Sequence, residues 1–231
     1  MSFRILRTWG VLTLLACLAL TGCANVQQPI ALDQQFWGAK EPTIGVAITV
    51  LPAPELMLTG SQGLLDVAIN KGVNSKLSDN VKTWDVRDLD TLPDVIVAKL
   101  QAKGYKAKRI IDQIDLKNYK NISFREGYMT KDMTPMKAMY GVDRLLLVNV
   151  FVTGATRSYY SLVPTSVPMA QVGGQGMVVD LADNKLLWFQ PFAAVQAAQG
   201  EWDEPNYANL SNAFYQAIDN SRQQMITPFS Q

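Results

Sequence analysis

Two stretches of nearly unbroken aliphatic and β-branched residues constrain this chain more than anything else in it: residues 43–51 (TIGVAITVL) and 144–153 (RLLLVNVFVT). A strand with one wet face alternates apolar and polar residues, whereas a run without alternation belongs in a sheet covered on both sides. Pro52 and Pro54 close the first run, since proline cannot donate to a ladder. Such strands demand helices over both faces, which predicts a mixed α/β architecture.

The remaining sequence supplies those helices. Leu92, Val95, Ile96 and Leu100 recur at helical spacing, with Asp90 or Thr91 as cap, Pro93 in the first turn and Gly104 as the stop. A strand over 105–111 follows. A second helix is expected over about 134–140, opened by Pro135 and closed by Gly141. Residues 169–181 and 185–197 read as an antiparallel pair across the turn Ala182-Asp183-Asn184. Pro205 begins a long helix with Tyr207, Leu210, Phe214, Ile218 and Met225 on one face, ending before Pro228. Between the first strand and the first firm helix lies a polar segment with Gly60, Gly63 and Gly72, where Leu64, Leu65, Ala68 and Ile69 indicate a short helix. The expectation is one α/β domain over 43–231: a single mixed sheet of about five strands packed by helices, with a long C-terminal helix.

The N-terminus has a different character. Arg4 and Arg7 precede an apolar run over 11–20, the layout of a secretory signal. At about ten residues the run is too short to span a bilayer. It ends in Leu20-Thr21-Gly22-Cys23, which resembles the lipobox of bacterial lipoproteins. That resemblance implies removal of residues 1–22, acylation of Cys23 with palmitate among the chains, and retention on a membrane. Ala24, where an Asp would favour the inner membrane, implies the periplasmic face of the Gram-negative outer membrane. Residues 23–42 then read as the lipidated cysteine and a flexible tether with a reach of roughly 20 to 25 Å. Phe36 and Trp37 within it either dock on the body or rest at the lipid interface.

Composition removes much chemistry. The chain has no histidine, and its cysteines are Cys17, inside the signal, and Cys23. Ser-His-Asp and Cys-His catalysis and the usual zinc sites therefore lack their residue types. Loss of Arg4 and Arg7 takes the 21 basic residues to 19 against 20 acidic ones, which argues against a nucleic-acid partner. Lys103, Lys106, Lys108 and Arg109 cluster, but as decoration of a helix end and a strand start.

One hairpin carries a second resemblance. Gly176-Met-Val-Val-Asp180-Leu, a turn, and Lys185-Leu-Leu-Trp188 resemble the "small residue, variable, Val-Asp, turn, Lys-x-x-Trp" hairpin of envelope lipoproteins related to the curli secretion lipoprotein. A similar α/β plan occurs in the N-terminal domain of TolB and in lipoprotein activators of peptidoglycan synthases. These relatives bind proteins or form rings, so the resemblance implies interaction rather than catalysis. It carries over no functional residue, and no pair of long amphipathic hairpins for a transmembrane barrel is evident.

Four features bear on function. Met129, Met133, Met136 and Met139 are spaced as a helical face whose thioethers suit Cu(I) or an adaptable partner surface, although Pro135 interrupts it, so core packing is expected. Gly173-Gly174-Gln175-Gly176 leads into a strand rather than a helix, which indicates a bulge or close approach instead of a phosphate cradle. Glu201, Asp203 and Glu204 beside Trp202 suit either a glycan-cleaving carboxylate pair or capping of the helix that Pro205 opens, and capping is expected. The connection over 154–168 holds Arg157, Tyr159, Tyr160 and Leu162, a composition enriched at interface hot spots. These four are the candidate partner-binding residues. The sequence thus reads as a non-enzymatic, lipid-anchored adapter without cofactor or metal that binds an envelope protein or its own copies. A secretion-pore subunit and a carboxylate-based cell-wall hydrolase are the alternatives.

Overall fold

The computed structural model describes residues 26–230. The signal, the lipobox and Cys23 lie outside them.

One open mixed sheet of seven strands organises the molecule, in the order β3-β1-β4-β6-β7, with β2 and β5 also paired to β4. The strands are β1 (Ile44–Ile48), β2 (Glu55–Ser61), β3 (Ala107–Arg109), β4 (Arg144–Tyr160), β5 (Val163–Pro164), β6 (Met169–Asp180) and β7 (Leu186–Ala197). β1 runs parallel to both β3 and β4, and β2 is also parallel to β4, while β5, β6 and β7 are antiparallel to their neighbours. β1 pairs with residues 144–148 of β4 and β2 with residues 154–160, so both lie end to end along one edge of β4. The helices are α1 (Gln34–Gly38), α2 (Leu64–Val73), α3 (Ser75–Val81), α4 (Leu92–Ala102), α5 (Met136–Tyr140) and α6 (Ala208–Ile226). No described helix is long and apolar enough to cross a membrane.

The unbroken apolar runs are explained by two cores. Ile44, Val46 and Ile48 of β1 and Leu146 and Val148 of β4 face one core, under α1, α3, α4 and α6. Ala47, Leu145 and Leu147 face the other, which Met129, Met133, Met136 and Phe189 fill. Opposite faces of a strand thus both meet hydrophobic layers. The β4–β6 register shifts between Val150 and Val152, and Phe151 at the shift is exposed.

The glycine cluster serves this geometry. A Cβ at Gly174 would lie 2.3 Å from the Asn149 carbonyl oxygen, and one at Gly176 would lie 2.4 Å from the Trp188 ring. The bulge and the close approach are both present.

The N-terminal segment departs from the tether expected over 23–42. Gly127 N donates to Gln27 Oε1 at 2.7 Å, Ile30 bridges Phe189 of β7, and Phe36 is buried against Trp37 and Tyr105. From Gln27 onward the chain is fastened to the body, because two adjacent aromatics have more to gain from the core than from water.

Candidate functional site

α2 is built inside out. At 100° per residue, its sequence LLDVAINKGV places Leu64, Leu65, Ala68, Ile69 and Val73 on one side and Asp66 and Asn70 on the other. A surface helix ordinarily turns the apolar side inward. Here Asn70 is 2% exposed, whereas Leu64 is 95% and Leu65 and Val73 are each 73% exposed.

Hydrogen bonds hold this inverted helix. Asn70 Nδ2 donates to Gln62 Oε1 and to the Ser161 carbonyl, both at 2.9 Å. Ser161 Oγ donates to Asp66 Oδ2 at 3.0 Å, and that oxygen also accepts from Gly63 N. One residue beyond α2, the buried Asn74 donates through Nδ2 to the Asn70 carbonyl and to Tyr159 Oη, each at 2.7 Å. Its Oδ1 accepts from Arg157 Nη1 at 2.9 Å. The polar face of α2 is thus its docking face, seated on the end of β4.

The expected recognition loop over 154–168 is mostly strand. Gly154 to Tyr160 continue β4, paired with β2 on one edge, and the true turn lies around Ser161 and Leu162 before β5. The four residues singled out there divide. Tyr159 is 3% exposed, and the Arg157 guanidinium lies 5.5 Å from its ring and 5.0 Å from that of Trp202. These two support α2 from beneath. Tyr160 and Leu162 face solvent, together with Val163. Because Ser161 bonds both Asp66 and Asn70, the exposed side of α2 and the β4–β5 turn stand at the same end of the sheet. The inverted helix was legible only as a short apolar helix, since periodicity reveals a face but not which way it points.

The other candidates resolve into packing and surface. Met129, Met133 and Met136 are buried, Met139 is exposed, and only the last two belong to α5. Glu201, Asp203 and Glu204 are exposed, and Glu204 precedes the 3-10 turn of Pro205–Tyr207 without a side-chain cap bond. Among the described residues, no group of three or more Asp or Glu side chains is placed to hold a metal ion. Lys103 follows α4, and Lys106, Lys108 and Arg109 lie at or in β3.

No protein-family model matches the sequence, and no curated protein matches it. Among solved structures the chain is similar to a PelC variant dodecamer from Paraburkholderia phytofirmans, at 9% identity over 88% of this chain and 94% of that one, with a TM-score of 0.35. It is also similar to a Xanthomonas campestris protein, at 13% identity over 80% and 90% with a TM-score of 0.35. A lipoprotein from Neisseria meningitidis gives 14% identity over 78% and 100% with a TM-score of 0.31. None of these similarities transfers a function to this chain.

Proposed function

We propose that this chain is a non-catalytic lipoprotein of the bacterial envelope, held at the periplasmic face of the outer membrane by acylated Cys23, and that it binds an envelope protein through the apolar end formed by α2 and the β4–β5 turn. The observation that carries the reading is the inverted helix: Leu64, Leu65 and Val73 are exposed while Asn70 is buried. Each large aliphatic side chain covered by a partner contributes about 1.5 to 3 kcal/mol, so two or three of them support a specific interface when they lie together.

Geometry favours a protein over the anchoring membrane as the occupant. Gln27 and Ile30 are bound near Gly127 and Phe189, at the end of the sheet where β4 begins. From Cys23 to Gln27 the chain spans at most about 14 Å. α2 sits at the other end of the 17-residue β4, about 50 Å away at strand rise. α2 also lacks the basic polar face of a membrane-surface helix, since its polar side is occupied by Ser161 and Gln62.

The test is cross-linking in intact cells with mass spectrometry, comparing the native chain with a Leu64→Ser, Leu65→Ser double variant. Both positions are exposed, so abundance and melting temperature stay unchanged while recovery of the partner falls at least tenfold. Unchanged recovery refutes the site, and recovery of the chain linked only to itself replaces the adapter with a homo-oligomer. In parallel, Cys23→Ser moves the chain from the membrane to the soluble fraction, and its retention would refute the anchor.

A further inference from the structure

The sheet treats its exposed edges unequally. β3 is three residues long. β7 carries Pro191, bridges to Ile30 at Phe189, and offers its Ala193 carbonyl to Gln224 Nε2 at 3.3 Å. Short length, proline and covering contacts are the means by which proteins blunt an edge. β2 lacks the first two, although α3 packs beside it and Gly60 at φ 91° breaks its extended run near the end. Its seven residues pair with β4 along one side in continuous register, they include no proline, and among the described residues no strand pairs with the other side.

A groove of about 410 Å³ lies beside that strand, with Glu55, Leu56 and Leu58 on one wall and Ser75, Ser78 and Lys82 on the other. Consecutive strand residues point to opposite faces, so Glu55 and Leu56 line the same groove because it follows the edge of β2 rather than one face. The opposite wall is the outer side of α3, whose Leu77 and Val81 are buried in the core.

We propose that β2 accepts an extended segment of another protein as an added strand, with the segment's alternate side chains set over Leu56 and Leu58. The extended part of the edge ahead of Gly60, five residues, is about 17 Å long, room for about five residues of ligand. Main-chain pairing to the open edge supplies affinity, and the groove supplies selection, as in other strand-addition sites. The occupant is a lone segment because α3 packs beside β2: a single extended chain can lie along the open edge outside the helix, whereas a second folded copy brings the layers covering its own sheet. The chain's own N-terminus is held at Gly127 by Gln27, at the opposite end of β4.

The full chain in detergent is used to select from a phage-displayed library of random nine-residue peptides. Enriched peptides are synthesised and their affinities measured by fluorescence anisotropy. Ser78→Trp, which fills the groove from the helix side, weakens binding at least tenfold, and Ser75→Tyr at an exposed position does the same. Leu65→Ser leaves binding unchanged, which separates this edge from the apolar end of α2. Backbone N-methylation of the peptide weakens binding at alternate positions only. Melting curves matching the native chain show that the variants fold. The proposal is overturned if no peptide is enriched, if Ser78→Trp and Ser75→Tyr are without effect, or if N-methylation is tolerated at every position. Loss of binding in Leu65→Ser assigns the peptides to α2 instead. Dimers in sedimentation that Ser78→Trp abolishes assign the edge to a second copy.

Discussion

Replacing Asn74 by Ala isolates what seats the inverted helix. The side chain belongs to a residue 3% exposed and makes three hydrogen bonds, to the Asn70 carbonyl, Tyr159 Oη and Arg157 Nη1. The Asn70 carbonyl keeps its helical bond from Asn74 N at 3.0 Å, so its share of the loss is small. Tyr159 is buried and loses its partner, which costs about 1 to 3 kcal/mol. Arg157 already has a buried Nε without a partner; losing the Asn74 amide leaves its remaining donors to water at the surface, for about 1 kcal/mol more. The expected destabilisation is therefore about 2 to 4 kcal/mol, read from urea unfolding followed by tryptophan fluorescence. Tyr159→Phe alone costs about 1 kcal/mol, and the double variant loses less than the sum because both changes remove the same bond. Amide exchange locates the effect: α2 opens faster while β1 and β6 keep their protection. A loss below 0.5 kcal/mol, or strict additivity with Tyr159→Phe, refutes the polar seat.

Two further perturbations test the packing and the electrostatics. Gly176→Ala puts a Cβ 2.4 Å from the Trp188 ring and 2.7 Å from Met225 Sδ; Trp188 is held edge-on to Phe229 at 5.3 Å, so overpacking costs about 1 to 3 kcal/mol. Gly173→Ala, whose nearest neighbours are 3.7 Å away, is the milder control, and equal thermal shifts for the two refute the argument. Asp143 accepts from Thr43 N at 3.0 Å and lies 3.4 Å from Lys137 Nζ; the Thr43 amide chiefly, with help from Lys137, holds its carboxyl below the usual range. A folded value below the unfolded one stabilises the native state above about pH 4 and ceases to do so as pH falls through the folded value. The half-exposed site keeps the effect small. The stability gap between the native chain and Asp143→Asn should therefore narrow on acidification from neutral pH, and a gap independent of pH contradicts it.

Local residues specify some elements and distant residues specify others, and only the former were legible. β1 and the first half of β4 stand out because hydrophobic layers on both faces remove their alternation. The β6–β7 hairpin is declared by Asp183-Asn184, with Asn184 at φ 67°, and α6 by the spacing of Leu210, Phe214 and Ile218. The sheet has seven strands rather than about five because β2 and β5 escape such reading. β2 (ELMLTGS) is a half-exposed edge broken by Gly60, whose only apolar residues, Leu56, Met57 and Leu58, are consecutive and show no alternation. The far half of β4 (GATRSYY) carries the small and polar residues of a loop, and its pairing with β2 and β6 decides the matter. In the candidate site, Tyr160 and Leu162 were identifiable by type, but the roles of Arg157 and Tyr159 depend on Asn74, 83 and 85 residues away in sequence.

That separation bears on why α2 faces the way it does. Its orientation is fixed by Asn70, Asn74 and Asp66 binding groups at the end of β4, so the apolar residues are left outside by a structure whose polar bonds are made. Turning Leu64, Leu65 and Val73 into charged residues would remove nothing from the fold's core, because those side chains bury little. Solubility alone would favour that change, since a contiguous apolar patch on a free surface promotes association. A helix that keeps leucines where the fold makes no use of them presents a surface suited to covering by something else. Its position, about 50 Å along β4 from the fastened N-terminus, sets the proposed contact well away from the proposed lipid anchor.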